Sequence, residues 1–136
     1  MVRHSLRGKL KANEKRRLII DDGRFTHGEV VESFQVWNTA VSSGNDVEAV
    51  LGLSEASLVG ANAAENNGQI AWSYQFIGTN GGLQGTIIDP DHLVVRDLWI
   101  ENTSGAPLNY LVIIRPTEIT EDQGVLALIK ESSQDV

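Results

Sequence analysis

From Arg17 onward the apolar residues recur at every second position, in short runs separated by turn-forming clusters. That period is the signature of β-strands rather than helices. Leu18-Ile19-Ile20 runs into Asp21-Asp22-Gly23, an Asp-Gly turn signal. Glu29 to Trp37 alternates, with Val30, Phe34 and Val36 predicted on one face and Val31, Ser33, Gln35 and Trp37 on the other. After the turn cluster Ser42-Ser43-Gly44-Asn45, the stretch from Asp46 to Leu53 places Val47, Ala49, Leu51 and Leu53 together. Residues 54–68 are rich in Ala, Asn, Gly and Ser and read as a long loop. Gln69 to Ile77 shows the cleanest alternation, and its aromatic face of Ile70, Trp72, Tyr74 and Phe76 is expected in the core.

Asn80-Gly81-Gly82 turns the chain into a strand at Leu83 to Ile88, and Asp89-Pro90-Asp91 turns it again. Strands at His92 to Glu101 and Leu108 to Arg115 follow, joined by Asn102-Thr103-Ser104-Gly105, which reads as a turn rather than a glycan acceptor. Beyond Pro116, Thr120 with Glu121 and Asp122 is compatible with a helix burying Val125, Leu128 and Ile129. Gly124 weakens that helix, and a final strand from Val125 to Ile129 is the alternative. Seven or eight strands at roughly ten-residue spacing, with no helix long enough for a βαβ crossover, indicate an all-β fold. The expectation is a single β-sandwich, jelly-roll-like, with an extended N-terminal arm and a short C-terminal helix; an immunoglobulin-like sandwich is the rival.

Charge changes the picture at the N-terminus. Through Arg17 there are seven basic residues, Arg3, Arg7, Lys9, Lys11, Lys15, Arg16 and Arg17, against Glu14 alone, or +6. The remaining residues carry four basic and seventeen acidic groups, or −13. Only Val2, Leu6 and Leu10 are sizeable apolar groups in that segment. Residues 1–17 therefore read as a basic arm ordered by a partner, and residues 18–136 as the sandwich domain. The seven cations are the candidate partner-binding residues, directed at a neighbouring subunit or, without sequence preference, at nucleic acid. No apolar run approaches the ~20 residues of a membrane span. Met1 to Arg17 lacks the apolar stretch of a secretory signal, so neither membrane insertion nor secretion is expected.

Candidate chemistry is sparse. The chain has no cysteine, which excludes disulfides, thiolate metal sites and a cysteine nucleophile. His4, His27 and His92 lack the spacing of a cupin-like metal site and read as structural or exposed. Asp21-Asp22-Gly23 and Asp89-Pro90-Asp91-His92 offer carboxylates but not the ligand series of a calcium loop. Gly78-Thr79-Asn80-Gly81-Gly82 lacks the lysine of a phosphate loop and reads as a hairpin, and no nucleophile elbow is present. Trp37, Trp72, Tyr74, Trp99 and Tyr110 are a possible carbohydrate platform, although aromatics on alternating strand positions are more often core or interface. No cofactor and no enzymatic activity are expected.

The stretch from Lys9 to Gly23 and the closing Val125-Leu126-Ala127-Leu128-Ile129-Lys130-Glu131 resemble short proteins encoded by marine viruses. A small β-sandwich with an N-terminal arm is similar in plan to viral capsid and capsid-decorating proteins. The resemblance implies a virion structural protein (capsid, vertex or decoration) that homo-oligomerises, meets other virion proteins and is assembled in the host cytoplasm. It transfers no catalytic residue. The acidic body favours bridging between subunits over broad genome contact. The alternatives are a carbohydrate- or ligand-binding sandwich using Trp37, Trp72 or Trp99, and a small cupin-like metalloenzyme.

Overall fold

The computed structural model of the protein describes residues 3–19, 27–39, 45–58, 63–78, 81–94 and 97–118. Within these, eight strands form two antiparallel sheets. The strands are β1 (His4–Leu10), β2 (Lys15–Ile19), β3 (His27–Asn38), β4 (Val47–Gly52), β5 (Gln69–Gly78), β6 (Gly81–Ile88), β7 (Asp97–Asn102) and β8 (Leu108–Glu118). One sheet has the order β1-β8-β3 and the other β2-β7-β4-β5-β6. The pairing is nested along the chain: β1 with β8, β2 with β7, and β4 with β5. β6 completes the nest without a ladder to β3, through the Thr86 hydroxyl on the Phe34 carbonyl and Gln84 Nε2 on the Val36 carbonyl at 3.4 Å.

Facing residues of the two sheets make the core. β8 contributes Leu108, Tyr110, Val112 and Ile114, and β3 contributes Val31, Phe34 and Val36. Across from them lie Val47, Ala49, Leu51, Ile70, Ala71, Leu98 and Ile100. Burying each large aliphatic among them is worth ~1.5–3 kcal/mol, so this layer dominates stability.

Three expectations from the sequence are corrected. Within the expected arm of residues 1–17, residues 4–10 and 15–17 are strands of the sandwich. β1 pairs with β8 from His4↔Ile114 to Leu10↔Leu108, and β2 pairs with β7 from Lys15↔Glu101 to Ile19↔Asp97. Leu10 and Leu18 are buried in the core, so the expected domain boundary after Arg17 falls inside a strand. Two apolar anchors suffice because an antiparallel ladder satisfies the backbone and leaves basic side chains to solvent.

The second correction is in β3, where a register shift between Val31 and Ser33 inserts Glu32 as an extra residue. Such a bulge reverses facing on one side of it. Val31, not Val30, therefore joins Phe34 and Val36 in the core. The third concerns β5. Ala71 and Ser73 are buried opposite Leu51 and Ala49, while Trp72, Tyr74 and Phe76 face outward. A register shift at Leu51/Gly52 lets Ile70 remain inside with Ala71. The expected C-terminal helix from Thr120 and the Asp21-Asp22-Gly23 turn lie outside the described residues.

Between β1 and β2 the chain crosses from one sheet to the other in four residues. Glu14 N–H donates to the Lys11 carbonyl at 3.1 Å, and the Glu14 carboxylate accepts the Lys11 N–H at 2.8 Å. Asn13 takes a φ of 61°, a left-handed conformation that asparagine tolerates better than most residues. Asn102, fully buried, secures the same corner: its amide donates to the Lys11 and Ala106 carbonyls at 3.0 and 2.7 Å, and its carbonyl oxygen accepts the Ser104 N–H. The residue that a glycan would need is thus consumed by the corner.

Candidate interaction surfaces

The seven predicted partner-binding cations divide by strand parity. Arg16 points inward at the sandwich edge. Its guanidinium donates to the Tyr110 hydroxyl at 3.3 Å, the Lys9 carbonyl at 3.0 Å and the Glu14 carboxylate at 3.0 Å. The Tyr110 hydrogen bond, then Glu14, raise its pKa, while the Lys11 N–H and Arg16 lower that of Glu14. Gly8 makes room for this cluster, because a Cβ there would lie 2.9 Å from the Tyr110 hydroxyl. Arg16 therefore joins the two sheets through Tyr110 and the Lys9 carbonyl. Arg17 is held by Asp97 at 2.7 Å, and Lys15 stands across from Glu101.

Arg7 and Lys9 lie on the outer side of β1, an edge strand, Arg3 is exposed just before it, and Lys11 is exposed in the turn that follows. Charges along an edge oppose unwanted strand addition, so part of the basic character is accounted for structurally. Arg3 and Arg115 converge on Glu32, with Arg115 Nε 2.7 Å from its carboxylate. Arg3 first, then Arg115, hold the Glu32 carboxyl below its ordinary pKa. Arg7 and Lys9 extend outward beside Leu111 and Asn109 of β8, in line with Gln35 and the exposed Trp37 of β3. The outer face of the three-stranded sheet therefore sets Arg3, Arg7, Lys9 and Arg115 against Glu32, around Leu111, Ile113 and Trp37.

The outer face of the five-stranded sheet is of a different kind. Register pairs put Trp72 beside Val50 and Ile87, Tyr74 beside Glu48 and Gly85, and Phe76 beside Leu83. Tyr74 and Phe76 stack with ring centroids 4.8 Å apart, and the Tyr74 ring lies across Gly85, where a Cβ would sit 2.4 Å from its hydroxyl. Trp72 Nε1 donates to Gln69 Oε1 at 3.1 Å, fixing the indole over Val50, which is fully buried. Leu83 and Ile87 are 58% and 62% exposed, leaving most of their apolar area in water. Beside Trp72 and Tyr74 opens a cavity of about 280 Å³ walled by Glu48, Ala64 and Ile87. Glu101, on the same face, has its pKa raised by burial, against a smaller lowering by Lys15.

Reading the sequence missed this face because it assigned the aromatics of β5 to the core. Both sides of β5 are partly apolar, so alternation alone does not choose between them. The inward positions are the small ones, Ala71 and Ser73, and the glycine that accepts the Tyr74 ring is identified only once β6 is in register.

Among the described residues no three His, Asp or Glu side chains are grouped to hold a metal ion. His92 is a structural link: its Nε2 accepts the Val31 N–H at 2.9 Å and its Nδ1 contacts the Asp89 carbonyl. Asp89 closes its own turn by accepting the Asp91 N–H at 2.9 Å. No helix among the described residues is long and apolar enough to cross a membrane. Compared with protein families, curated proteins and solved structures, the chain matches none.

Proposed function

We propose that this protein is a non-enzymatic virion structural component, a capsid, vertex or decoration protein, that works by association of its sandwich. The observation that carries the reading is the aromatic and aliphatic outer face of the five-stranded sheet, with Trp72, Tyr74, Phe76, Leu83 and Ile87 side by side. Contiguous exposed apolar surface on a small domain marks an interface more often than a fold requirement. The fold we infer is a jelly roll. The nested pairing of β1 with β8, β2 with β7 and β4 with β5, closed by β6 against β3, supports it. That architecture serves viral shells, lectins and cupins alike, so the surface and not the fold selects among them.

The basic N-terminal residues contribute to assembly as part of the sandwich, through the outward Arg7 and Lys9, and not as a free arm. Light scattering after size exclusion tests the reading. A defined oligomer is expected, and Leu83→Lys with Ile87→Lys should shift it toward monomer while leaving the circular dichroism spectrum unchanged. A wild-type chain that stays monomeric at high concentration would overturn the proposal.

The cavity beside Trp72 and Tyr74 favours one second reading, a carbohydrate- or small-ligand-binding module. Two ring faces and the Glu48 carboxylate are the parts that stack on a sugar and accept hydrogen bonds from its hydroxyls. A glycan panel read by tryptophan fluorescence separates the two readings. Saturable quenching lost in Trp72→Ala would support this module, and a blank panel would remove it.

A further inference from the structure

The two outer faces of the sandwich are complementary, and from this we propose that copies of the chain associate head to tail, the basic face of one seated on the aromatic-acidic face of the next. The inference rests on the assembly reading above and names its partner and geometry.

On one side Arg7 and Lys9 project from β1 two residues apart, roughly 7 Å along a strand, with Trp37 exposed beyond them. On the other, Glu48 and Glu101 are diagonal neighbours across the β4–β7 pair, since Glu101 stands opposite Val50. That arrangement spaces their Cα atoms about 7–8 Å apart. The two spacings match, so a pair of cations on one copy meets a pair of carboxylates on the next in a single register. Lys15 already faces Glu101 from within the chain, which leaves Glu48 as the stronger anchor. Glu48 sits in the wall of the cavity beside Trp72 and Tyr74. A lysine or arginine entering it would lay its alkyl stem on Ile87 and bring its charge over the rings, where cation–π attraction adds to the ion pair.

Because the two patches differ and lie on opposite sides of the molecule, the contact is heterologous. It generates a ring if the rotation closes and a filament if it does not.

Two variants, each with one face disabled, test the geometry: Arg7→Glu with Lys9→Glu, and Glu48→Lys with Ile87→Lys. All four positions are exposed or half-buried, and a circular dichroism spectrum confirms the fold of each; Leu83→Lys replaces Glu48→Lys if that variant misfolds. By light scattering each variant alone should be monomeric. An equimolar mixture should assemble where neither variant does alone, because each retains the face the other lacks and the two reversed faces are again opposite in charge. A mixture that stays monomeric while the wild type assembles, or a basic-face variant that assembles normally, would overturn head-to-tail contact and leave the assembly reading standing. Normal assembly of Arg7→Glu with Lys9→Glu together with loss of binding to a short single-stranded DNA would assign the basic face to nucleic acid. A wild-type chain monomeric at every concentration would end both proposals.

Discussion

Facing along β5 decides which of two neighbouring positions tolerates a charge, and Ala71→Asp against Tyr74→Lys tests it directly. Ala71 is fully buried, with Leu51 and Ile88 as its register partners in β4 and β6. An aspartate there would have no cation within the core cluster to meet. The effective penalty for burying an unpaired carboxylate is several kcal/mol. Typical stability is only ~5–15 kcal/mol, so the native state should be largely lost. Tyr74 faces out. Its replacement by lysine forfeits the stack on Phe76, worth ~0.5–1.5 kcal/mol, and some half-buried ring area. The new ammonium stands across from Glu48, an opposite-charge pair that returns ~0.2–1 kcal/mol. The net cost should be about 1–2 kcal/mol, moving a urea midpoint by roughly 0.3–2 M at a slope of ~1–3 kcal/mol per molar. Urea titration followed by circular dichroism, at a concentration where the wild type is monomeric, measures both. Collapse of Tyr74→Lys with a native Ala71→Asp would invert the facing and return the aromatics to the core.

Deleting residues 1–11 removes β1 and Leu10 and leaves β8 unpaired on one side, so cooperative thermal unfolding should be lost; an unchanged melting curve would restore the reading of a detachable arm. Asn102→Ala strands the Lys11 and Ala106 carbonyls at the β1–β2 corner and should cost ~1–3 kcal/mol in chemical denaturation. Glu101→Gln should raise the melting temperature at neutral pH and have little effect near pH 3. The raised pKa of Glu101 means its folded-state contribution is favourable when protonated and is lost as pH rises through the folded value, a loss that glutamine does not suffer. A melting temperature lowered at neutral pH would show that the Lys15 pair outweighs the desolvation.

The sequence by itself determined the strands from β3 to β8, the turns at Asp89-Pro90-Asp91 and Asn102-Thr103-Ser104-Gly105, and much of the core. Period-two alternation placed Val47, Ala49, Leu51 and Leu53 together, and all four are buried. The absence of a crossover helix excluded a parallel sheet, and the absence of cysteine excluded thiol chemistry. Local rules suffice there because alternation, turn residues and side-chain chemistry act within a few positions along the chain.

What only the tertiary structure decided is which side of each strand faces in, and which strands pair. The seven basic residues before Leu18 look like an arm because their charge hides the two side chains, Leu10 and Leu18, that the sandwich buries; their ladder partners, β8 and β7, lie some 80 to 110 residues away. One inserted residue, Glu32, reversed the face expected for Val30 and Val31. In β5 the aromatics carried the greater hydrophobicity, yet the space between the sheets admits Ala71 and Ser73, and the rings went to the face where Gly85 leaves room for Tyr74. Non-local pairing and the volume between two sheets are not properties of any short stretch of chain, and the interaction surface follows from both.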